Sequence, residues 1–280
     1  MPEWGVYTLI LFAAAAHAGW NVILKGSDDH LLSLAGLRAV GLPIAVCILA
    51  VVPNPSASAI PYLIGNVCFM YAYYFFLLNA YRIGELSSVY QIARGLAPIA
   101  VLSMTFIFVV DRVSHTDVLA TVVVSIGIFL LAKQKNFDAR QLLFAIATGL
   151  CIAGYSMLAG IGVRHSQSVL GYLAWSEILT AVGLIPIALM LRRNELHRYF
   201  SLRYKRIVVA GMLALAGFGI TLWAFNQLPL GPVTAVRESS IGFAMLFGVI
   251  FLRESFSSSK AIALCLILGG VVTLAVQAPT

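Results

Sequence analysis

Long apolar runs, each closed by a short cluster of charged residues, Pro or Gly, follow one another along the whole chain. Reading the runs between clusters predicts ten helical spans, near residues 4–25, 31–52, 57–80, 86–110, 116–132, 141–163, 169–191, 207–227, 231–252 and 260–277. A bilayer core of ~30 Å takes about 20 apolar residues per helix, so ten such runs use up most of the chain. The connections are correspondingly short. The longest, RRNELHRYFSLRYKR at 192–206, is too short for an extramembrane domain. The opening MPEW lacks the basic region of a cleavable signal, and the first run is expected to be the first span.

Composition agrees. Of 280 residues 61% are hydrophobic and 10% charged, with a mean hydropathy of +0.95, whereas soluble domains carry roughly 25% charge. The net charge of +7 builds no continuous patch, because the basic residues are spread between apolar segments. Nucleic acid is therefore no expected partner, and the lipid bilayer is. Cys47, Cys68, Cys151 and Cys265 each lie inside an apolar run, too scattered for a metal site. No Walker loop, HExxH, EF-hand, GxSxG or dinucleotide fingerprint occurs, so neither cofactor nor metal is expected and nucleotide-driven pumping is disfavoured.

Assigning connections to alternate faces places thirteen basic residues on one side: Lys25, Arg82, Lys133, Lys135, Arg140, Arg192, Arg193, Arg198, Arg203, Lys205, Arg206, Arg253 and Lys260. Only Arg112 and Arg164 fall on the other. The positive-inside rule makes the first face cytoplasmic and puts both termini outside, in a multi-pass protein of a bacterial-type cytoplasmic (inner) membrane.

A shift of 143 residues pairs Arg94 with Arg237, Ser114 with Ser257, Ala120 with Ala263 and Gly127 with Gly270, and sets Asp111 against Glu254. Slightly different offsets relate AGWN at 18–21 to AGYS at 153–156, and AVGLPIA at 39–45 to AVGLIPIA at 181–188. Five helices per unit is an odd number, so two copies enter the membrane from opposite sides. The expected fold is all-α, ten transmembrane helices arranged as two inverted five-helix repeats, 1–137 and 138–280, around a central cavity.

These features resemble the drug/metabolite transporter superfamily in its ten-helix EamA-like branch. The resemblance covers nearly the whole chain and is carried by the 5+5 arrangement and by SSVYQIARGLAPIAVLSMTFIFVVDRVS and GPVTAVRESSIGFAMLFGVIFLRESFSSS. The family pattern has a Pro midway along both helices; Pro98 fits the first, while Ile241 stands in the second. Bacterial aromatic amino-acid and metabolite exporters look most similar. Relatives are often described with cytoplasmic termini, against the charge count here.

A charge at bilayer depth costs ~2.5 to 3.5 kcal/mol on insertion scales, which makes an intramembrane ionisable residue a site candidate. Arg38, Arg94, Glu177, Arg237 and Glu238 qualify. Two readings stand beside each other: Arg38 or Arg94 neutralises Glu177 or Glu238 and locks helices together, or Arg94 and Arg237 offer a guanidinium fork to a substrate carboxylate. Neighbours on a helix diverge by about 100°, so only one of Arg237 and Glu238 is expected to face a cavity. His17, Trp20 and Asn21 share a face of the first helix, and Tyr90 lies one turn before Arg94. Tyr71, Tyr74, Tyr155 and Trp175 complete the set of expected substrate contacts. Asp111 and Glu254 close their spans, where a capping or gating interaction competes with simple hydration.

The expected function is a secondary transporter or facilitator exporting small organic molecules, amino acids or related metabolites, by alternating access, as a monomer or weak homodimer. The resemblance supplies the direction of transport. No enzymatic activity is expected. The alternatives are an integral membrane enzyme acting on lipid, which would cluster ionisable residues near one interface, and a passive small-molecule channel.

Overall fold

Most of the runs are apolar on every side, and a helix is the one local structure that satisfies its own backbone in lipid. The computed structural model describes residues 3–24, 29–83, 86–132, 138–252 and 256–276. These fold into α1 (Glu3–Leu24), α2 (His30–Leu49), α3 (Ile60–Ile83, entered through a 3-10 turn at Ala57–Ala59), α4 (Leu86–Ile107), α5 (His115–Phe129) and α6 (Ala139–His165). The chain continues through α7 (Val169–Leu191), α8 (Arg193–Phe225), α9 (Leu230–Glu238), α10 (Ser240–Leu252) and α11 (Ser258–Val276). Eight of these helices are long and apolar enough to cross a membrane, and α5 is a shorter apolar one. Lys25, Lys133, Lys135, Arg253 and Glu254, with the side chain of Arg82, lie outside the described residues.

Local chemistry sets the helix starts. Asp29, Asp138 and Ser168 each accept a bond from the first turn of the helix they precede. Ser114 and Asp117 form a reciprocal capping box on α5. Pro98 sits within α4 without ending it, and α9 begins directly after Pro229.

Two elements differ from the sequence expectation. The connection 192–206 is not a loop: it forms the first turns of α8, because Leu196 and Tyr199 pack on Leu32, Ala35 and Ala188, and the Tyr199 hydroxyl lies 2.7 Å from that of Ser33. The ninth span is broken at Ser239, whose hydroxyl donates back to the Val236 carbonyl at 2.6 Å, so α9 ends at Glu238 in mid-span.

The packing maps onto itself when each helix is exchanged for the one five spans away. α1 packs on α8 as α6 does on α3; α6 packs on α4 as α1 does on α9 and α10. Besides α4 with α9, two contacts are their own images, α2 with α7 and α5 with α11. In the latter, a Cβ on Gly127 would lie 2.9 Å from the Ala263 carbonyl, and one on Gly270 2.8 Å from the Ala120 carbonyl. Those are the residues paired by the 143-residue shift, and the missing side chains let the two backbones meet.

The outer surface carries large apolar residues such as Phe12, Phe75, Phe106, Leu143 and Val272, while Asn66, Arg94, Glu177, Arg237 and Glu238 are buried. A surface of this kind is suited to lipid as its solvent, and polar groups face inward.

Candidate functional site

The charged residues expected within the spans, Arg38, Arg94, Glu177, Arg237 and Glu238, sit on four helices, α2, α4, α7 and α9. Arg94 on α4 is 2% exposed; its Nη1 donates to Glu238 Oε2 at 2.6 Å and its Nη2 lies 2.6 Å from His17 Nε2. A guanidinium only donates, so His17 Nε2 accepts, which assigns a neutral imidazole. The Tyr90 hydroxyl is 3.3 Å from the same nitrogen, and the Tyr90 ring lies 4.8 Å below the Arg94 guanidinium. Arg237 completes the group. Its Nη2 donates to Glu238 Oε1 at 2.6 Å, to Ser156 Oγ at 3.2 Å and to the Tyr155 hydroxyl at 3.4 Å, with its guanidinium over the Tyr155 ring at 5.6 Å. Both glutamate oxygens are thus occupied by arginines.

A second pair adjoins the first: Arg38 on α2 donates to Glu177 on α7. Glu177 fits because Gly41 has no side chain where the carboxylate rests. At the equivalent position of the other half, Gly183 leaves room for the Tyr71 hydroxyl, which donates to the Leu179 and Thr180 carbonyls at 2.5 and 3.1 Å.

Between these groups lies a cavity of about 80 Å³. Of the twelve residues expected from sequence, His17, Trp20, Tyr74, Arg94, Tyr155 and Arg237 line it. Tyr90, Glu177 and Glu238 stand behind that lining and hold its arginines or histidine. Three lie elsewhere. Asn21 donates to the His17 carbonyl of its own helix at 2.8 Å, Tyr71 locks α3 to α7, and Trp175 donates to Asn54 Oδ1 at 2.8 Å.

Of the neighbours Arg237 and Glu238, only one of which was expected to face a cavity, Glu238 is not in the lining. Both belong to one network, because the long Arg237 side chain folds back onto its neighbour; Arg237 is the one lining the cavity. Arg38, Tyr73, Phe218 and Thr221 also line the cavity. Arg38 was visible as a charge within a span; the other three lie in helices whose faces look alike in sequence.

Trp20 and Leu34 are four residues from the facing ends of α1 and α2, so the cavity reaches toward the end where Asp29 stands. There Arg192 Nε donates to Asp29 Oδ2 at 2.5 Å. The opposite end is joined by Arg164 in the last turn of α6. It donates to Asp111 Oδ1 at 2.6 Å and to the carbonyls of Phe225 and Leu228, each at 2.8 Å. Asp111 Oδ2 accepts from the Leu230 N–H at 2.8 Å, capping α9. The capping reading of Asp111 is met; the Glu254 counterpart lies outside the described residues.

Burial alone would raise the Asp29 carboxyl, but the Leu32 N–H and the Arg192 guanidinium outweigh it and hold the group below its ordinary value. A depressed carboxylate stabilises the fold above the unfolded pKa, and that stability is lost as pH falls through the folded value. Asp29→Asn keeps a competent cap and removes the charge. It is expected to lower the melting temperature of detergent-purified protein at pH 7, with the gap to wild type closing as pH falls below about 4. A gap independent of pH would mean that the ion pair does not stabilise the fold.

Residues 139–276, from α6 through α11, match the family model described as the EamA-like transporter family. No curated protein matches the chain. A solved crystal structure of a protein superposes with a TM-score of 0.75, covering 95% of this chain and 97% of its own at 17% identity, a likeness of fold.

Proposed function

We propose that the chain, whose residues 139–276 match the EamA-like transporter family, is a membrane transporter of small molecules, a secondary carrier exporting small carboxylate-bearing organic molecules by alternating access. One observation carries the reading. Two buried arginines, Arg94 and Arg237, share a single carboxylate beside an aromatic-lined cavity between helices of both halves. Guanidinium forks bind planar carboxylates bidentately, and the tyrosine faces suit an apolar or aromatic body.

On this reading residues 1–137 and 138–280 act as inverted units that exchange conformations. The present state, with its cavity reaching toward Asp29 and the Arg164 end tied shut, is one of two. The basic-residue count favours a cytoplasmic Asp29 end, both termini outside and an inner membrane of bacterial type.

Purified protein in liposomes is expected to give saturable counterflow of labelled carboxylate-bearing metabolites, accelerated by unlabelled compound on the far side. Flux that rises linearly with concentration would favour a channel, and a chemically altered product the lipid enzyme.

A further inference from the structure

Around the cavity three cations meet two anions. Arg38 is paired with Glu177, while Arg94 and Arg237 divide Glu238 between them. The balance is one positive charge, and a proton on either carboxylate would only raise it. Arg38, Arg94 and Arg237 line the cavity; among the described residues no Asp or Glu does. The Nε atoms of Arg38 and Arg94 are buried with no acceptor, so donors remain available.

Acceptors are scarce by contrast. An ammonium group needs up to three of them. His17 Nε2 already receives Arg94, and the Tyr155 hydroxyl receives Arg237. Both oxygens of Glu238 are taken, and Glu177 rests in the Gly41 notch behind Arg38. Resting on the carboxylate-carrier reading above, we propose that the cavity selects monoanionic carboxylates with an apolar or aromatic body over the zwitterionic amino acids of the same shape. The anion neutralises the surplus guanidinium charge. A zwitterion brings in addition an ammonium that would be desolvated among cations, without a partner.

The test uses four compounds sharing one phenyl body: 3-phenylpropionate, phenylalanine, 3-phenylpropanamide and 2-phenylethylamine, titrated calorimetrically into the full chain in detergent. The expected result is that 3-phenylpropionate binds about tenfold or more tighter than phenylalanine, with the amide and the amine weaker still. Phenylalanine binding as tightly as the acid, or more so, overturns the inference and leaves the carrier reading standing, since both would be ligands of one carboxylate site. Tightest binding of the amine, or binding of none of the four to protein shown folded by circular dichroism, overturns the inference and the carboxylate reading together. Arg237→Gln removes the surplus charge while Glu238 keeps Arg94, and is expected to bring the acid and phenylalanine to nearly equal affinity; an undiminished preference for the acid in this variant also overturns the inference.

Discussion

Replacing Arg94 by glutamine is expected to reduce saturable counterflow by at least about a hundredfold, the scale of losing a charge-assisted contact to substrate together with its orientation. Arg94 is the group through which α4 reaches both α1, at His17, and α9, at Glu238. Its loss removes a guanidinium from the cavity wall and releases the histidine from the orientation in which Nε2 accepts. It also leaves Glu238 with Arg237 alone. Stranding part of a buried ion pair costs about 3 to 5 kcal/mol, so poor folding could imitate lost transport.

Thermal unfolding of the Arg94→Gln variant separates the two effects, because Glu238 keeps Arg237 as its partner. Vesicles loaded with variant protein shown folded by circular dichroism at the assay temperature are expected to remain inactive. Arg94→Lys is expected to stay below a tenth of wild-type flux, since one ammonium cannot serve two partners in fixed directions. Wild-type flux in both Arg94→Gln and Arg237→Gln would remove the clamp.

Arg164→Ala is expected to be the most destabilising single change at the opposite end, by about 2 to 4 kcal/mol in denaturant titrations of the micellar protein. Three acceptors on two segments lose their donor at once: Asp111 after α4, and the carbonyls of Phe225, which ends α8, and Leu228, just before α9. Arg164 is 28% exposed and Asp111 10%, so water screens the pair only in part. The fork geometry makes lysine a poor replacement, and Arg164→Lys is expected to recover less than half of the loss. Asp111→Asn leaves an oxygen for the Leu230 N–H and removes only the charge, so a double-mutant cycle isolates the ion pair from the cap. A loss under about 0.5 kcal/mol for Arg164→Ala would make the network an ordinary surface contact.

Much of the fold was legible because its signal is coarse: apolar runs of the length a bilayer demands, closed by charge. The break at Ser239 was not, since a serine in an apolar run bonds its own helix without any Pro or Gly to announce it. The first turns of α8 were hidden by their charges, and only the packing of Leu196 and Tyr199 reveals why the segment is helical. At the site, the charged residues stood out against their apolar surroundings, but their partners did not. Arg94 finds Glu238 across 144 positions, and nothing in either neighbourhood says which helices will touch. Tyr73 and Phe218 carried no signal because a helix that is apolar all round has no readable face. Arg164 stood in the sequence as a connection charge, as backbone carbonyl acceptors have no residue signature.

The contact between α5 and α11 has a bearing on how the sequence can drift. Because Gly127 faces the Ala263 backbone while Gly270 faces that of Ala120, each half supplies both the notch and the ridge of one seam. Contacts between unlike positions let the two halves diverge independently, each adjusting to a different neighbour. A self-facing seam ties them: enlarging Gly127 pushes apart the same two backbones that Gly270 holds together, and no compensating change in one half alone restores the fit. Likeness between the halves should therefore survive longest along this seam, where their alignment retains matching Ala and Gly.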